Sequence, residues 1–146
     1  MAKRKTKAEE DLLISFERCL KKVREKFNAK FLEHQINISY DQWLILKEVS
    51  KNQGIIQRAL AQELAKETAS ISRMSSKLVT RGYITKKPAE HNKKAFKLYL
   101  TPEGFELSKR ITGMANKLME EIFNGIYDRE VSFIKDIVSR VNKNFS

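Results

Sequence analysis

Residues 66–97 read KETASISRMSSKLVTRGYITKKPAEHNKKAFK, a polar helical pattern followed by two short, lysine-rich strand patterns. The stretch holds nine basic side chains and two acidic ones, so it carries +7 of the chain's net charge of +11. The basic residues Lys3, Arg4, Lys5 and Lys7 form a second group near the N-terminus. A charge that served only solubility would be spread more evenly. A local basic excess favours an anionic partner, usually nucleic acid and less often a membrane surface.

The pattern of residues 68–81 predicts a helix with two different faces, with Thr68 as the N-cap and Gly82 as the residue that releases the chain. The face that points to a core is largely apolar and consists of Ile71, Met74, Ser75 and Leu78. The opposite face is small, polar or basic, has no carboxylate, and consists of Lys66, Ala69, Ser70, Arg73, Ser76 and Lys77. Such a face suits a DNA major groove, where hydroxyls reach phosphates and an arginine reads guanine. A solvated surface helix is the alternative, but its surface would normally mix Glu with Lys.

Two helices are predicted before this one. The nearer helix covers residues 57–65, and its short connection to the next helix is typical of a helix-turn-helix. Its start is poorly capped because Ile56 offers no side-chain acceptor. The earlier helix begins at Ser39, which forms a capping-box pattern with Gln42.

A hairpin is predicted after Gly82. The first strand covers residues 83–87 and is stopped by Pro88, and the second strand covers residues 94–100 after a polar tip at 89–92. Lysines at such a tip suit phosphate contacts or a minor groove. The alternative is an edge hairpin that its lysines protect from aggregation.

Long helices are predicted at both ends of the chain. In the first, apolar residues step by three and four, as in a helix that packs along another helix: Leu13, Phe16, Leu20, Val23 and Phe27. A helix of ~25 residues is ~38 Å long, which is too long for a small domain to cover. The last helix repeats this spacing with Val131, Ile134, Val138, Val141 and Phe145. We therefore expect part of the first helix to pack on a second subunit.

The chain resembles the MarR family of bacterial transcription regulators over about residues 38–107. The resemblance rests on Leu60-Ala61-x-x-Leu64, Ser72-Arg73, Leu78, Arg81-Gly82-Tyr83-Ile84, Lys87-Pro88, Lys93-Lys94 and Leu98-x-Leu100-Thr101-x-x-Gly104. It implies a winged-helix homodimer that binds a pseudo-palindromic operator, usually as a repressor that a small ligand or an oxidant relieves. The fold class is then mainly α with a small β-hairpin wing.

We expect a single domain over residues 1–146. A winged helix-turn-helix core would cover residues 38–104, and dimerisation helices would flank it over residues 7–33 and 105–146. The chain departs from the family pattern at three places. The wing has Asn92, Lys93 and Lys94 where the family commonly has Asp and Arg, Ile56 stands where Thr or Ser is usual, and Ala65 stands where Gly is frequent. Lysine lacks the bidentate fork of arginine, so we expect the wing to read sequence less specifically.

Arg73 is the predicted base reader, and the wider predicted DNA-binding set is Lys66, Thr68, Ala69, Ser70, Ser72, Arg73, Ser76, Lys77, Lys93 and Lys94. The family implies a cleft for a small-molecule effector, and His34, Trp43 and Met114 are its candidate lining residues, although such residues more often belong to a core. In some members of the family a cysteine in the first helix senses peroxide, so the resemblance makes Cys19 the candidate redox sensor, and its basic neighbours favour a thiolate. The alternative is a cysteine that serves only as a small apolar side chain.

Several function classes lack a signature in this sequence. It has no glycine-rich phosphate loop, no nucleophile elbow and no metal-spaced Cys or His pair, so we expect neither an enzyme nor a metal or other cofactor. The single cysteine permits no internal disulfide, and no apolar run is long enough for a bilayer, which together favour a cytoplasmic protein without membrane contact. Two alternatives stay open: a non-specific architectural DNA binder and a winged-helix protein-interaction module.

Overall fold

The computed structural model describes residues 6–146 apart from the side chains of Thr6 and Lys93. The basic residues Lys3, Arg4 and Lys5 lie outside the described residues. The helices are α1 (Thr6–Glu33), α2 (Tyr40–Lys51), α3 (Gln57–Glu63), α4 (Thr68–Thr80), α5 (Pro102–Ile122) and α6 (Asp128–Lys143). The strands are β1 (Ile55–Ile56), β2 (Ile84–Ala89) and β3 (Asn92–Leu100). The predicted class, mainly α with a small β-hairpin wing, is confirmed.

The chain forms two compact units, which divide between Gly113 and Met114 inside α5. The first unit contains α1 to α4, the strands and the start of α5. The second unit contains the rest of α5 and all of α6. The predicted single domain over residues 1–146 stays a prediction.

The three strands form one antiparallel sheet in the order β1-β3-β2. Ile55 of β1 pairs with Leu98 of β3, and Ile84 of β2 pairs with Leu100. Leu98 and Ile84 are buried. The sheet therefore contributes one apolar surface to the core of the first unit and leaves the β2–β3 hairpin to extend from it.

An aromatic cluster joins α1 to α2. Trp43 stacks on Phe27, with 5.5 Å between the ring centroids, and meets Phe31 edge-on at 6.3 Å. All three side chains are buried. The predicted capping box starts α2: the Gln42 backbone N–H donates to Ser39 Oγ at 3.1 Å, and the Ser39 N–H donates to Gln42 Oε1 at 2.9 Å. Large aromatic burial and a closed cap fix the direction of α2.

The hairpin strands are longer than the sequence predicts. The first strand starts one residue later and continues through Pro88 to Ala89, so the prediction that Pro88 stops it is wrong. Proline lacks an N–H, but β2 is an edge strand, where no partner needs that donor, and the register shifts at Pro88 and Ala89. The second strand begins at Asn92, because Ala89 pairs with Asn92 across the tip.

Two predictions around the helix-turn-helix are also corrected. Thr68 is the first residue of α4 and not its N-cap, because Glu67 holds the cap position without a side-chain hydrogen bond. The third helix ends at Glu63, and Ala65 adopts a left-handed φ of 52° that releases the chain early. Strand β1 was not predicted, because two residues are too few to show an alternating pattern.

The terminal helices α1 and α6 carry apolar side chains that are exposed in the described part of the chain. In α1 the buried seam starts at Phe27, whereas Leu13 is 61% exposed and Leu20 is 55% exposed. Helix α6 contains no buried residue, and its apolar residues Val138 and Val141 are exposed. Only the C-terminal part of the α1 seam reaches the core, and the packing of the exposed apolar residues on a second subunit stays a prediction.

Candidate nucleic-acid interface

Helix α4 is held to the core by its apolar face. Ile71, Ser75 and Leu78 are buried, and Met74 is half-buried. The end of the helix follows the prediction, because Gly82 takes a φ of 82° and the Tyr83 N–H then donates to the Leu78 carbonyl at 2.9 Å. This anchoring leaves the opposite face of α4 free to meet a partner.

The outer face of α4 lies open to solvent. Thr68, Ala69, Arg73, Ser76 and Lys77 are exposed, whereas Ser70 and Ser72 are half-buried. The Arg73 guanidinium donates from Nη2 to Ser70 Oγ at 3.2 Å. No carboxylate belongs to residues 68–80. The structure thus places Ala69, Arg73, Ser76 and Lys77 on one positively charged, solvent-facing surface, with the half-buried Ser70 and Ser72 at its edges.

The wing is connected directly to this surface through Lys86. Its Nζ donates to Ser76 Oγ at 3.1 Å and lies 5.5 Å from the centre of the Phe96 ring. The predicted DNA-binding set did not include Lys86. The alternation of side chains along β2 places Lys86 on the opposite face of the hairpin from Lys87. The Lys86 ammonium group adds a positive charge where strand β2 of the wing meets α4.

The tip of the wing presents further lysines. The Lys94 side chain is exposed, and its N–H donates to Asn92 Oδ1 at 3.0 Å. Lys87 lies 5.2 Å above the ring of Tyr99. Lys93 belongs to β3, but its side chain is outside the described part of the chain.

The base of the wing is fixed to the start of α5. Thr101 Oγ1 donates to the Gly82 carbonyl at 2.6 Å and accepts from the Gly104 N–H at 3.0 Å. A Cβ on Gly104 would collide with the Tyr83 carbonyl oxygen. The Leu-Thr-x-x-Gly motif therefore serves close packing at the point where the chain leaves the wing.

Lys66 differs from the other predicted contacts, because its ammonium group is already paired. Its Nζ lies 3.0 Å from Asp41 Oδ1, and its side chain is 19% exposed. Lys66 therefore faces α2, and its predicted contact with DNA stays a prediction.

The candidate effector and redox residues have different surroundings. Trp43 is buried in the aromatic cluster, whereas His34 is exposed and its Nδ1 lies 3.0 Å from the Lys30 carbonyl oxygen. Met114 is half-buried and belongs to the second unit. Cys19 is a free, exposed thiol on α1. Their roles in sensing stay predictions.

A cavity adjoins helix α4. Its volume is about 510 Å³, and α1, the α1–α2 connection, α2 and α4 line it. Polar and cationic side chains at its wall include Asn37, Gln42, Lys77 and Arg81. Arg81 donates from Nη1 to Gln42 Oε1 at 3.4 Å. Lys77 thus borders both this cavity and the outer face of α4.

Within residues 6–146, no group of three or more His, Cys, Asp or Glu side chains is arranged to hold a metal ion. None of the helices described for this chain has the length and apolar character needed to cross a bilayer.

A helix-turn-helix with an open, acid-free second helix and a lysine-bearing wing defines a winged-helix DNA-binding protein. Residues 38–96 match the model of the MarR family. The uncharacterized HTH-type transcriptional regulator YybA of Bacillus subtilis (strain 168) is 30% identical over 109 residues, which are 75% of this chain and 73% of that protein. The chain belongs to the MarR family and is a DNA-binding transcriptional regulator.

Solved structures share the fold. A MarR protein from Peptoclostridium difficile superposes with a TM-score of 0.81 at 22% identity, covering 92% of this chain and 87% of that one. A SlyA-like regulator from Listeria monocytogenes gives 0.80 at 26% identity, covering 91% and 87%. The PcaV regulator of Streptomyces coelicolor, in complex with its natural ligand, gives 0.78 at 16% identity, covering 100% and 99%. The second and third of these structures are named as transcription regulators.

Proposed function

We propose that two copies of this chain bind a pseudo-palindromic operator in the cytoplasm and repress transcription, without any catalytic activity. The observation that carries the proposal is the outer face of α4, which exposes Arg73 and Lys77 and has no carboxylate. Arg73 can donate two hydrogen bonds to one guanine, which gives sequence discrimination, whereas the wing lysines act on phosphates. Small Ala69 and the serines permit close approach to the groove.

The exposed apolar seams support the homodimer. Leu13 and Leu20 on α1, and Val138 and Val141 on α6, face solvent in a single chain. Apolar side chains at this spacing gain free energy when another helix covers them. A symmetric pair of chains would present two recognition helices to two half-sites, about one helical turn of DNA apart.

The cavity beside α4 supports control by a small effector. Lys77 and Arg81 at its wall favour an anionic ligand. A ligand there would compete with DNA for Lys77 and so lower the affinity for the operator. PcaV, with the same fold, is known in complex with its natural ligand. We propose release from DNA as the response of this chain.

Selection of binding sites from random DNA duplexes, with the mass of each complex measured, tests the function. A palindromic motif bound by two chains is expected, with affinity that falls steeply as salt rises. Binding without any motif would favour the architectural DNA binder. Affinity for a protein partner that depends little on salt, with no DNA binding, would favour the interaction module.

A further inference from the structure

Two cationic side chains from different parts of the first unit, Arg24 and Lys66, meet at Asp41, in the first turn of α2. Arg24 Nε on α1 donates to both carboxylate oxygens, at 3.0 Å and 3.1 Å. Lys66 Nζ, in the connection between α3 and α4, lies 3.0 Å from Oδ1. The Asp41 side chain is only 24% exposed. This partly buried carboxylate thus joins α1 to the turn of the helix-turn-helix.

The turn that Lys66 anchors is held to α3 by backbone hydrogen bonds and to α2 by the ion pair with Asp41. Ala65, one residue earlier, adopts a left-handed φ of 52°, which an L-residue with a Cβ adopts only at a cost in free energy. Glu67, one residue later, caps α4 without a side-chain hydrogen bond. The Lys66 N–H donates to the Ala61 carbonyl at 2.9 Å and ties the turn back to α3. An unfavourable backbone conformation persists only where surrounding contacts fix it.

Arg24 is itself held in place, which makes Asp41 a fixed anchor. Its guanidinium carbon lies 5.9 Å from the centre of the Tyr40 ring, and the Tyr40 N–H donates to Asn28 Oδ1 at 2.8 Å. Both contacts join α1 to the start of α2. Contacts that do not involve Lys66 therefore hold Asp41 in its position.

We propose that Asp41 is a positioning residue for DNA reading: through Lys66 it fixes the turn between α3 and α4 and thereby the angle at which α4 enters the groove. The inference rests on DNA reading by the outer face of α4. In this proposal Lys66 contacts Asp41 and not a DNA phosphate. Lys66 therefore affects the discrimination between DNA sequences. A recognition helix whose start is loosened loses base contacts before it loses charge-based attraction.

The test compares operator and scrambled duplexes over a range of salt concentrations, in the full-length chain, with thermal unfolding measured on the same samples. The variants are Asp41→Asn, Lys66→Met and their combination, with Lys66→Arg as the substitution that keeps the ion pair. Glu48→Gln is the matched control, because Glu48 also lies on α2, is 24% exposed, and pairs with Lys51 at 3.3 Å away from the turn.

We expect Asp41→Asn and Lys66→Met each to lower operator affinity by about tenfold while scrambled DNA binds as before. The double variant should be no weaker than either single variant, since the two residues act through one contact. Lys66→Arg and Glu48→Gln should keep full discrimination. If Asp41→Asn fails to fold, Lys66→Met carries the same comparison.

Three results would overturn the inference. Unchanged operator affinity in both single variants would remove Asp41 and Lys66 from the reading of DNA. An equal loss on both duplexes in Lys66→Met, with a salt slope reduced by about 1, would make Lys66 a phosphate contact. An unsubstituted chain that does not distinguish the selected duplex from the scrambled one would contradict the proposed function itself, and this inference with it.

Discussion

Helices α4 and α6 are both amphipathic, yet among the described residues only α4 has a buried apolar face. Ile71 and Leu78 on α4 are fully buried. On α6, Val138 and Val141 follow the same spacing of three and four, and no residue of the helix is buried. The spacing of apolar residues therefore predicts that a helix face will be buried, but it does not predict whether the same chain or a second chain buries it. We interpret α4 as complete within one chain and α6 as half of an interface.

The largest expected effect comes from a charge on the α6 seam. Val138→Glu would place a carboxylate inside the proposed dimer interface, where its desolvation is costly, so we expect the dimer dissociation constant to rise by about 100-fold or more. Sedimentation at several protein concentrations measures the change. Ser132→Glu, on the opposite face of α6, adds the same charge and should leave the dimer intact. Equal dimer stability in both variants would contradict the interface.

An effect of similar size is expected at the buried face of α4. Leu78 is fully buried, so Leu78→Ala should lower the free energy of unfolding by about 2–5 kcal/mol through lost burial and a residual cavity. Denaturant unfolding measures this loss. Val79→Ala, one residue along on the exposed side of α4, is the control and should change stability far less. Equal losses in both variants would contradict the orientation of α4.

Much of α4 and its surroundings could be predicted from sequence because local chemistry determines them. The Ser39 and Gln42 capping box formed as its spacing indicated. Gly82 took the left-handed conformation that a helix C-terminus favours. The period of Ile71 and Leu78 identified the buried face. In each case the interacting groups lie within a few residues, so their spacing alone carries the information.

Contacts between distant residues could not be predicted in this way. Lys66 looked like a free cation beside α4, but its partner Asp41 lies 25 residues earlier in the chain. The two-residue strand β1 exists only because β3 pairs with it. Pro88 lies inside β2 because β2 is an edge strand, which the sequence of the hairpin alone does not reveal. Such features follow from the assembled core and not from local pattern.

A smaller effect is expected at the open face of α4, where Arg73 is the proposed reader. Arg73→Ala should weaken operator binding by about 1–3 kcal/mol and relax the preference at one base position. Titration of an operator duplex and of its single-base variants measures both changes. Arg140→Ala, which removes an exposed arginine from α6, should bind like the unsubstituted chain. Unchanged operator affinity in Arg73→Ala would mean that another face of α4 reads the DNA.

Lys94 on the wing should act on affinity without acting on sequence preference. Lys94→Ala removes one exposed charge, so we expect a salt slope reduced by about 1 and a similar loss on all duplexes. Binding measured between low and physiological salt gives the slope. Lys21→Ala on α1 is the matched control. A change in the selected motif would instead assign base reading to the wing.

The smallest effect, on the free energy of unfolding, is expected at Ser75 in the buried face of α4. Ser75 is fully buried, and within the described chain its Oγ has no hydrogen-bond partner. A buried hydroxyl without a partner carries a desolvation cost, so Ser75→Ala should raise the free energy of unfolding by about 1 kcal/mol. Ser72→Ala, on the same helix and half-buried, gains the same helix propensity without releasing a buried hydroxyl. The difference between the two variants in denaturant unfolding isolates that cost. A loss of stability in Ser75→Ala would mean that the Ser75 hydroxyl makes a hydrogen bond in the folded core. The buried face of α4 would then depend on a polar contact as well as on apolar packing, unlike the apolar seam of α6.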